Sequence, residues 1–208
     1  METAGPAWSA AARVLVDPPG TFRALVAAGG RGSMWRGPAR LLAVFGATVS
    51  LLASGRLSVR LIADGMVSFG FVPLIELAAL AVVSRTRVGR APAPRLPFAR
   101  EVALYCSGHT PWLLWMTAVG AWFAGQPSRA DGRWFWPAMA AAAIAAAWSA
   151  WIDYHFLREV LRHDARRARR ALAVNRGVGW GLGIGVFLGI AIWSQYEPVV
   201  AGWLGGAR

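Results

Sequence analysis

The chain has 208 residues, of which 56% are hydrophobic and only 15% charged, with 24 Gly on top and a mean hydropathy of +0.43. A soluble domain is about 45–50% apolar with Gly included and about 25% charged, so a water-soluble globule is excluded, and 12 Trp and 9 Phe exclude a disordered chain, which is poor in aromatics. The formal net charge is +12 and all 22 basic residues are Arg; they fall between apolar stretches, not on one soluble module, which argues against a nucleic-acid-binding domain.

The expected class is all-α: a polytopic transmembrane helical bundle of about five spans in residues 37–208, preceded by a cytoplasmic or interfacial amphipathic segment in residues 1–36. Ala7–Val16 and Thr21–Ala28 read as two short helices split by Pro18-Pro19, with Thr21 as the cap of the second. Trp8, Phe22 and Leu25 beside Arg13 and Arg23 suit helices lying among lipid headgroups. Packing onto the bundle is the other placement this pattern allows. No cleavable signal is expected, because Asp17-Pro18-Pro19-Gly20 interrupts any apolar run there.

Span one is expected at about 40–60. Leu41–Ser54 is apolar for only 14 residues, which also fits a re-entrant segment; Arg56 and Arg60 would snorkel from its end. Span two, 61–84, is interrupted by Gly70 and Pro73 and carries Asp64 near its start and Glu76 deep within. Arg85–Arg100 holds five Arg and three Pro and reads as a loop. Span three, about 102–125, contains His109 and Pro111. Residues 126–133 form a polar turn. Span four, 134–153, is Ala-rich and is expected to run on as a basic helix past the membrane. There Phe156, Val160 and Leu161 share a side and Glu159 pairs with Arg162 or His163. Span five is expected at about 177–193.

Arg counting orients the spans. The segments before span one, between two and three, and between four and five hold 17 Arg, against 5 on the opposite side. The positive-inside rule then places the N-terminus in the cytoplasm and the C-terminus outside. Trp35, Trp122, Trp134, Phe135 and Trp136 are the expected interfacial aromatics. With 41–60 re-entrant, four spans would remain and both termini would share a side.

Three features recur together: Val16-Asp17-Pro18-Pro19-Gly20-Thr21-Phe22; the run Phe98-Ala99-Arg100-Glu101-Val102-Ala103-Leu104-Tyr105-Cys106 followed by Pro111; and a basic helix leading into a Gly-rich last span. Over roughly 12–193 this layout resembles the YIP1 family of small five-span membrane proteins, in the manner of its bacterial members. The resemblance implies a five-helix bundle with the N-terminus inside and the C-terminus outside, no catalysis, and a role in membrane organisation or trafficking.

Four constellations stand out from the residues themselves. Gly177, Gly181, Gly185 and Gly189 make a smooth ridge down span five, a helix-packing surface for the Ala-rich face of span four or for a second copy. Glu76 and His109 are the ionisable residues well inside spans, each about 10–12 Å from the cytoplasmic end at 1.5 Å per residue. Lying on antiparallel neighbours, they can meet, either as a proton or cation site beside the Pro73 and Pro111 kinks or as a structural pair that sets helix register. Asp153, His155, His163 and Asp164 lack the spacing of a metal motif and read as interfacial residues on a charged helix. Arg166, Arg167, Arg169 and Arg170 suit contacts with anionic lipid headgroups. The single Cys106 reads as a small buried hydrophobe.

The expected function is a non-enzymatic membrane scaffold or adaptor of YIP1-like type in a bacterial cytoplasmic (inner) membrane, with no cofactor and no metal. Its partners would be the bilayer, anionic headgroups, and a membrane protein or a second copy. The alternatives are a small transporter or channel-like protein using Glu76 and His109, or an accessory subunit of a larger membrane complex.

Overall fold

The computed structural model describes residues 7–30, 32–85, 96–125 and 135–205, and no β-strand occurs among them. In chain order they form α1 (Ala7–Val16), α2 (Pro18–Ala27), α3 (Arg36–Ser54), α4 (Val59–Ser68), α5 (Phe71–Arg85), α6 (Phe98–Tyr105), a 3-10 turn (Cys106–His109), α7 (Thr110–Ala124), α8 (Phe135–His155), a π turn (Phe156–Val160) and α9 (Ala165–Gly205). Most of the Arg-rich loop after α5, the polar turn with Trp134, Arg208 and the side chains of Trp8 and Phe135 lie outside the described residues.

The opening pair differs from expectation at its cap. Pro18 and Pro19 do not separate the helices; they occupy the first turn of α2, where a missing N–H is harmless, and Asp17 caps it by accepting from the Gly20 N–H at 3.0 Å. Thr21 is inside the helix, its own N–H bonded to the Asp17 carbonyl. The apolar face of this pair is turned onto the bundle. Val14 and Phe22 are fully buried among Leu80, Val102, Ile152 and Phe156, with the Phe22 and Phe156 rings edge to face at 5.9 Å. Arg100 ties the end of α2 down by donating to the Leu25 and Gly29 carbonyls at 2.9 and 2.6 Å.

α3 and α4 form a tight hairpin. Gly55 ends α3 in the left-handed region at φ 65°, its N–H bonded to the Leu51 carbonyl, a conformation that glycine adopts without a Cβ clash. The buried Ser50 hydroxyl seals the turn, accepting from the Ser58 N–H and donating to the Arg56 carbonyl, both at 2.8 Å. The two backbones then meet on glycine: a Cβ on Gly46 would lie 2.5 Å from the Ile62 carbonyl oxygen, and one on Gly65 3.0 Å from the Gly46 Cα. Close backbone approach of this kind lets apolar helices gain van der Waals contact where no water is expelled. α7 packs on α3 at Gly120, and Thr48 donates to the Met116 carbonyl across the contact at 3.4 Å.

Two stretches, Arg36–Ser54 and Val59–Arg85, are long and apolar enough to cross a membrane, with mean hydropathies of 1.4 and 2.2. Of the most apolar window in each, 28% and 22% is buried inside the protein. The second bends at Phe69–Gly70, between α4 and α5, one turn ahead of Pro73.

The glycine ridge of span five does not meet the Ala-rich helix. Among the described residues, a Cβ at Gly177, Gly181, Gly185 or Gly189 would touch nothing within 4 Å. α9 packs instead along α5, and α8 along α7. The packed side of α9 carries Ala168 and Asn175, which are buried, and Gly179, whose Cβ would stand 4.0 Å from Glu76 Oε1. That face lies about half a turn from the ridge at 3.6 residues per turn, so the ridge is turned outward.

The basic helix is corrected too. Helix continuity is lost over Leu161–Asp164, where Arg162 adopts φ 54°. Arg166, Arg167, Arg169 and Arg170 therefore belong to the first turns of α9, continuous with span five, and not to an extension of span four. Asp164 caps this helix: its carboxylate accepts from the Arg167 N–H at 2.9 Å, which holds its carboxyl below the usual range. Glu159 also pairs across to Arg23 of α2 at 3.7 Å.

Candidate functional site

Local sequence brings the site together. Pro73 sits in the first turn of α5, where it interrupts no helical bond, and Glu76 follows almost one turn later. Between α6 and α7 the chain tightens into the 3-10 turn Cys106–His109, and Pro111 in the first turn of α7 cannot supply the N–H that would continue one regular helix. The tightening puts Tyr105 and His109 beside each other, rings edge to face at 5.0 Å, both turned toward α5.

Glu76 and His109 meet, with His109 Nε2 at 3.6 Å from Glu76 Oε2. The shorter contact comes from Tyr105, whose hydroxyl donates to Glu76 Oε2 at 2.6 Å. The same hydroxyl lies 3.1 Å from the Asn175 carboxamide of α9. The group facing it is the amide oxygen Oδ1, and a phenol has one proton, so the Tyr105 hydroxyl donates to Glu76 or to Asn175 at any one time.

A second buried pair adjoins the first. Arg176 donates to Asp153 Oδ2 and, at 3.2 Å, to Ser149 Oγ. Ser149 in turn donates to the Gly108 carbonyl at 3.1 Å. The Asp153 side chain is 2% exposed and not interfacial, as its place at the end of span four had suggested. Gly108 makes room for it: a Cβ there would lie 2.7 Å from Asp153 Oδ1. Elsewhere Glu101, 2% exposed, accepts from Ser84 at 3.1 Å. Polar contacts thus link α5, the α6–α7 junction, α8 and α9. Buried polar groups in lipid or protein require such partners.

One side of the first pair is open. Gly37, Pro38 and Leu41 of α3, Pro73 and Leu77 of α5, and Leu113 of α7 wall a narrow cleft, with Glu76, Tyr105, Cys106 and His109 on its inner surface. His109 Nδ1 is buried and has no hydrogen-bond partner among the described residues. Cys106 lies against α3, where a Cβ on Gly37 would meet its Sγ at 2.7 Å. No group of three or more His, Cys, Asp or Glu able to hold a metal ion occurs among the described residues. Arg166, Arg169 and Arg170 are exposed, and Arg167 pairs with Asp164 at 3.4 Å.

Asn175 and Arg176 are the site residues that sequence reasoning missed. Arg176 closes a long basic run and reads there as topology charge, with the uncharged Asn175 beside it. Their signal was position: they are the last polar residues before the Gly-rich span, on the helix face opposite the glycine ridge.

If Glu76 and His109 act as a pair, they couple. Glu76→Gln and His109→Ala should each destabilise the protein in detergent, and the double variant should fall short of their sum by about 0.5–3 kcal/mol. Additive melting shifts would separate the two residues energetically.

Comparison with known protein families, with characterised proteins and with solved structures finds no match to this chain.

Proposed function

We propose that this chain is an integral membrane scaffold or adaptor of YIP1-like type, built from five spans. They are α3, the bent α4–α5, the broken α6–α7, α8 and the middle of α9. The observation that carries the scaffold reading is the pairing of its buried ionisable groups: Glu76 with His109 and Tyr105, and Asp153 with Arg176. Matched in this way, they fix the register of four elements. Isolated charges at these depths would cost several kcal/mol.

The five-span placement draws on the outer surface. Leu52, Leu74, Leu114, Trp136, Ile144, Trp180, Ile184 and Leu188 are all exposed, and a lipid solvent covers what the protein does not. α9 has 41 residues, about 60 Å at 1.5 Å per residue, twice the roughly 30 Å of hydrocarbon. Its exposed Arg166, Arg169 and Arg170 precede its exposed apolar positions from Val174 onward, which supports a cytoplasmic boundary near residue 174. Reporter fusions at Arg90 and Arg169 should read cytoplasm, and one after Ala207 the outside. A cytoplasmic C-terminus with both loops inside would mean that 41–60 does not cross.

The cleft beside Glu76 and His109 favours a second reading, a small transporter. Reconstituted protein separates the two. The scaffold reading expects a proton gradient across proteoliposomes to decay equally with wild type and Glu76→Gln. The transporter reading expects faster decay that the variant abolishes.

A further inference from the structure

The buried cluster has an odd charge. Glu76 and Asp153 contribute two carboxylates, and Arg176 one permanent cation that is bound to Asp153. Neutrality requires one more positive charge, and it must sit near Glu76. A proton on His109 supplies it, with Nε2 3.6 Å from the carboxylate. The cleft offers a second source. It ends on Glu76, whose side chain is 25% exposed, and on His109, which is 8% exposed with an unpartnered Nδ1. Its other walls, Pro38, Leu41, Pro73 and Leu77, are apolar. The space has room for about one water-sized body.

We propose that this cleft binds a single water-sized monovalent cation beside Glu76 in exchange for the proton on His109. The exchange balances: one cation enters, one proton leaves a ring nitrogen of the imidazolium to solvent, and the cluster's total charge is unchanged. The neutral imidazole then offers a lone pair to the entering cation together with the Glu76 carboxylate. The charged groups around His109 are Glu76 from α5, Asp153 from α8 and Arg176 from α9. The Tyr105 phenol and Cys106 thiol adjoin on its own segment, and Arg40 of α3 stands near Cys106. Carboxylate ligation favours hard cations over soft metals, the exchange for a single proton sets the charge at one, and the small volume excludes bulky ions. This inference rests on the cleft and its charges, and holds whether the protein is a scaffold or a transporter.

The test uses the whole protein in weakly buffered detergent solution at about pH 6, below the reference imidazole value of about 6.5. Potassium, ammonium or tetramethylammonium chloride is added at equal ionic strength and released protons are read with a soluble dye. Potassium or ammonium should release about one proton per chain, because linked binding equilibria are reciprocal, and tetramethylammonium should release none. Glu76→Gln, checked for an unchanged elution volume and melting profile, should abolish the difference. Equal release with all three salts, which is ionic screening, would overturn the proposal; so would no release with any of them in the wild type. The comparison among salts needs no variant, so it stands even where Glu76→Gln fails to fold.

Discussion

Replacing Arg176 with methionine is expected to destabilise the protein by about 3–5 kcal/mol, because it strands a carboxylate in the core. Asp153 is 2% exposed, and its nearest cation is the Arg176 guanidinium, itself 22% exposed. Methionine matches much of the arginine stem but carries no charge, so the packing loss is small and the electrostatic loss dominates. Ser149 loses its guanidinium contact at the same time, though it keeps its bond to the Gly108 carbonyl. Thermal melting in detergent, followed by loss of the monodisperse peak, reads the effect. The double variant Asp153→Asn, Arg176→Met should recover most of it, since replacing both members of a buried ion pair is far milder than removing one. If the double variant is as damaged as the single, the stranded charge is not the cause.

Gly46→Leu is expected to be strongly destabilising. Its side chain would enter where the Ile62 carbonyl already stands 2.5 Å from a Cβ. That neighbour is backbone and cannot swing away, so the α3–α4 hairpin must open. Overpacking typically costs about 1–3 kcal/mol, and a clash against backbone belongs at the upper end. Gly185→Leu is the control, because among the described residues nothing lies within 4 Å of where its Cβ would stand. It should change stability by less than about 0.5 kcal/mol, as surface substitutions do. Melting temperatures of the two variants, measured in the same detergent, test the assignment. A large loss for Gly185→Leu with little for Gly46→Leu would reverse it.

These two residues show where sequence pattern stops. A four-residue repeat of glycine reads as a packing ridge, and on span five it is conspicuous. The pattern tells that a backbone can approach there, not that one does. Gly46 and Gly65, which do meet backbone across the α3–α4 hairpin, are single residues on two helices. Their signal is a match across a hairpin whose register depends on the turn at Gly55 and Ser50, and no single-helix periodicity contains it.

The same holds for the charged groups. Composition alone excluded a soluble globule, because apolar surface on this scale cannot be hidden from water. Helix content and the proximity of Glu76 to His109 followed from run lengths and from depth counting along antiparallel neighbours, both of which depend only on rise per residue. The partners of that pair were decided by tertiary structure. Tyr105 reaches Glu76 because a 3-10 turn ahead of Pro111 advances the chain out of regular helical phase. Asp153 and Arg176 pair because Leu161–Asp164 breaks the expected basic helix and folds α9 back along α5. Local sequence sets which residues are helical and how deep they lie; which faces of those helices touch is set by turns and by the close contacts that the turns permit.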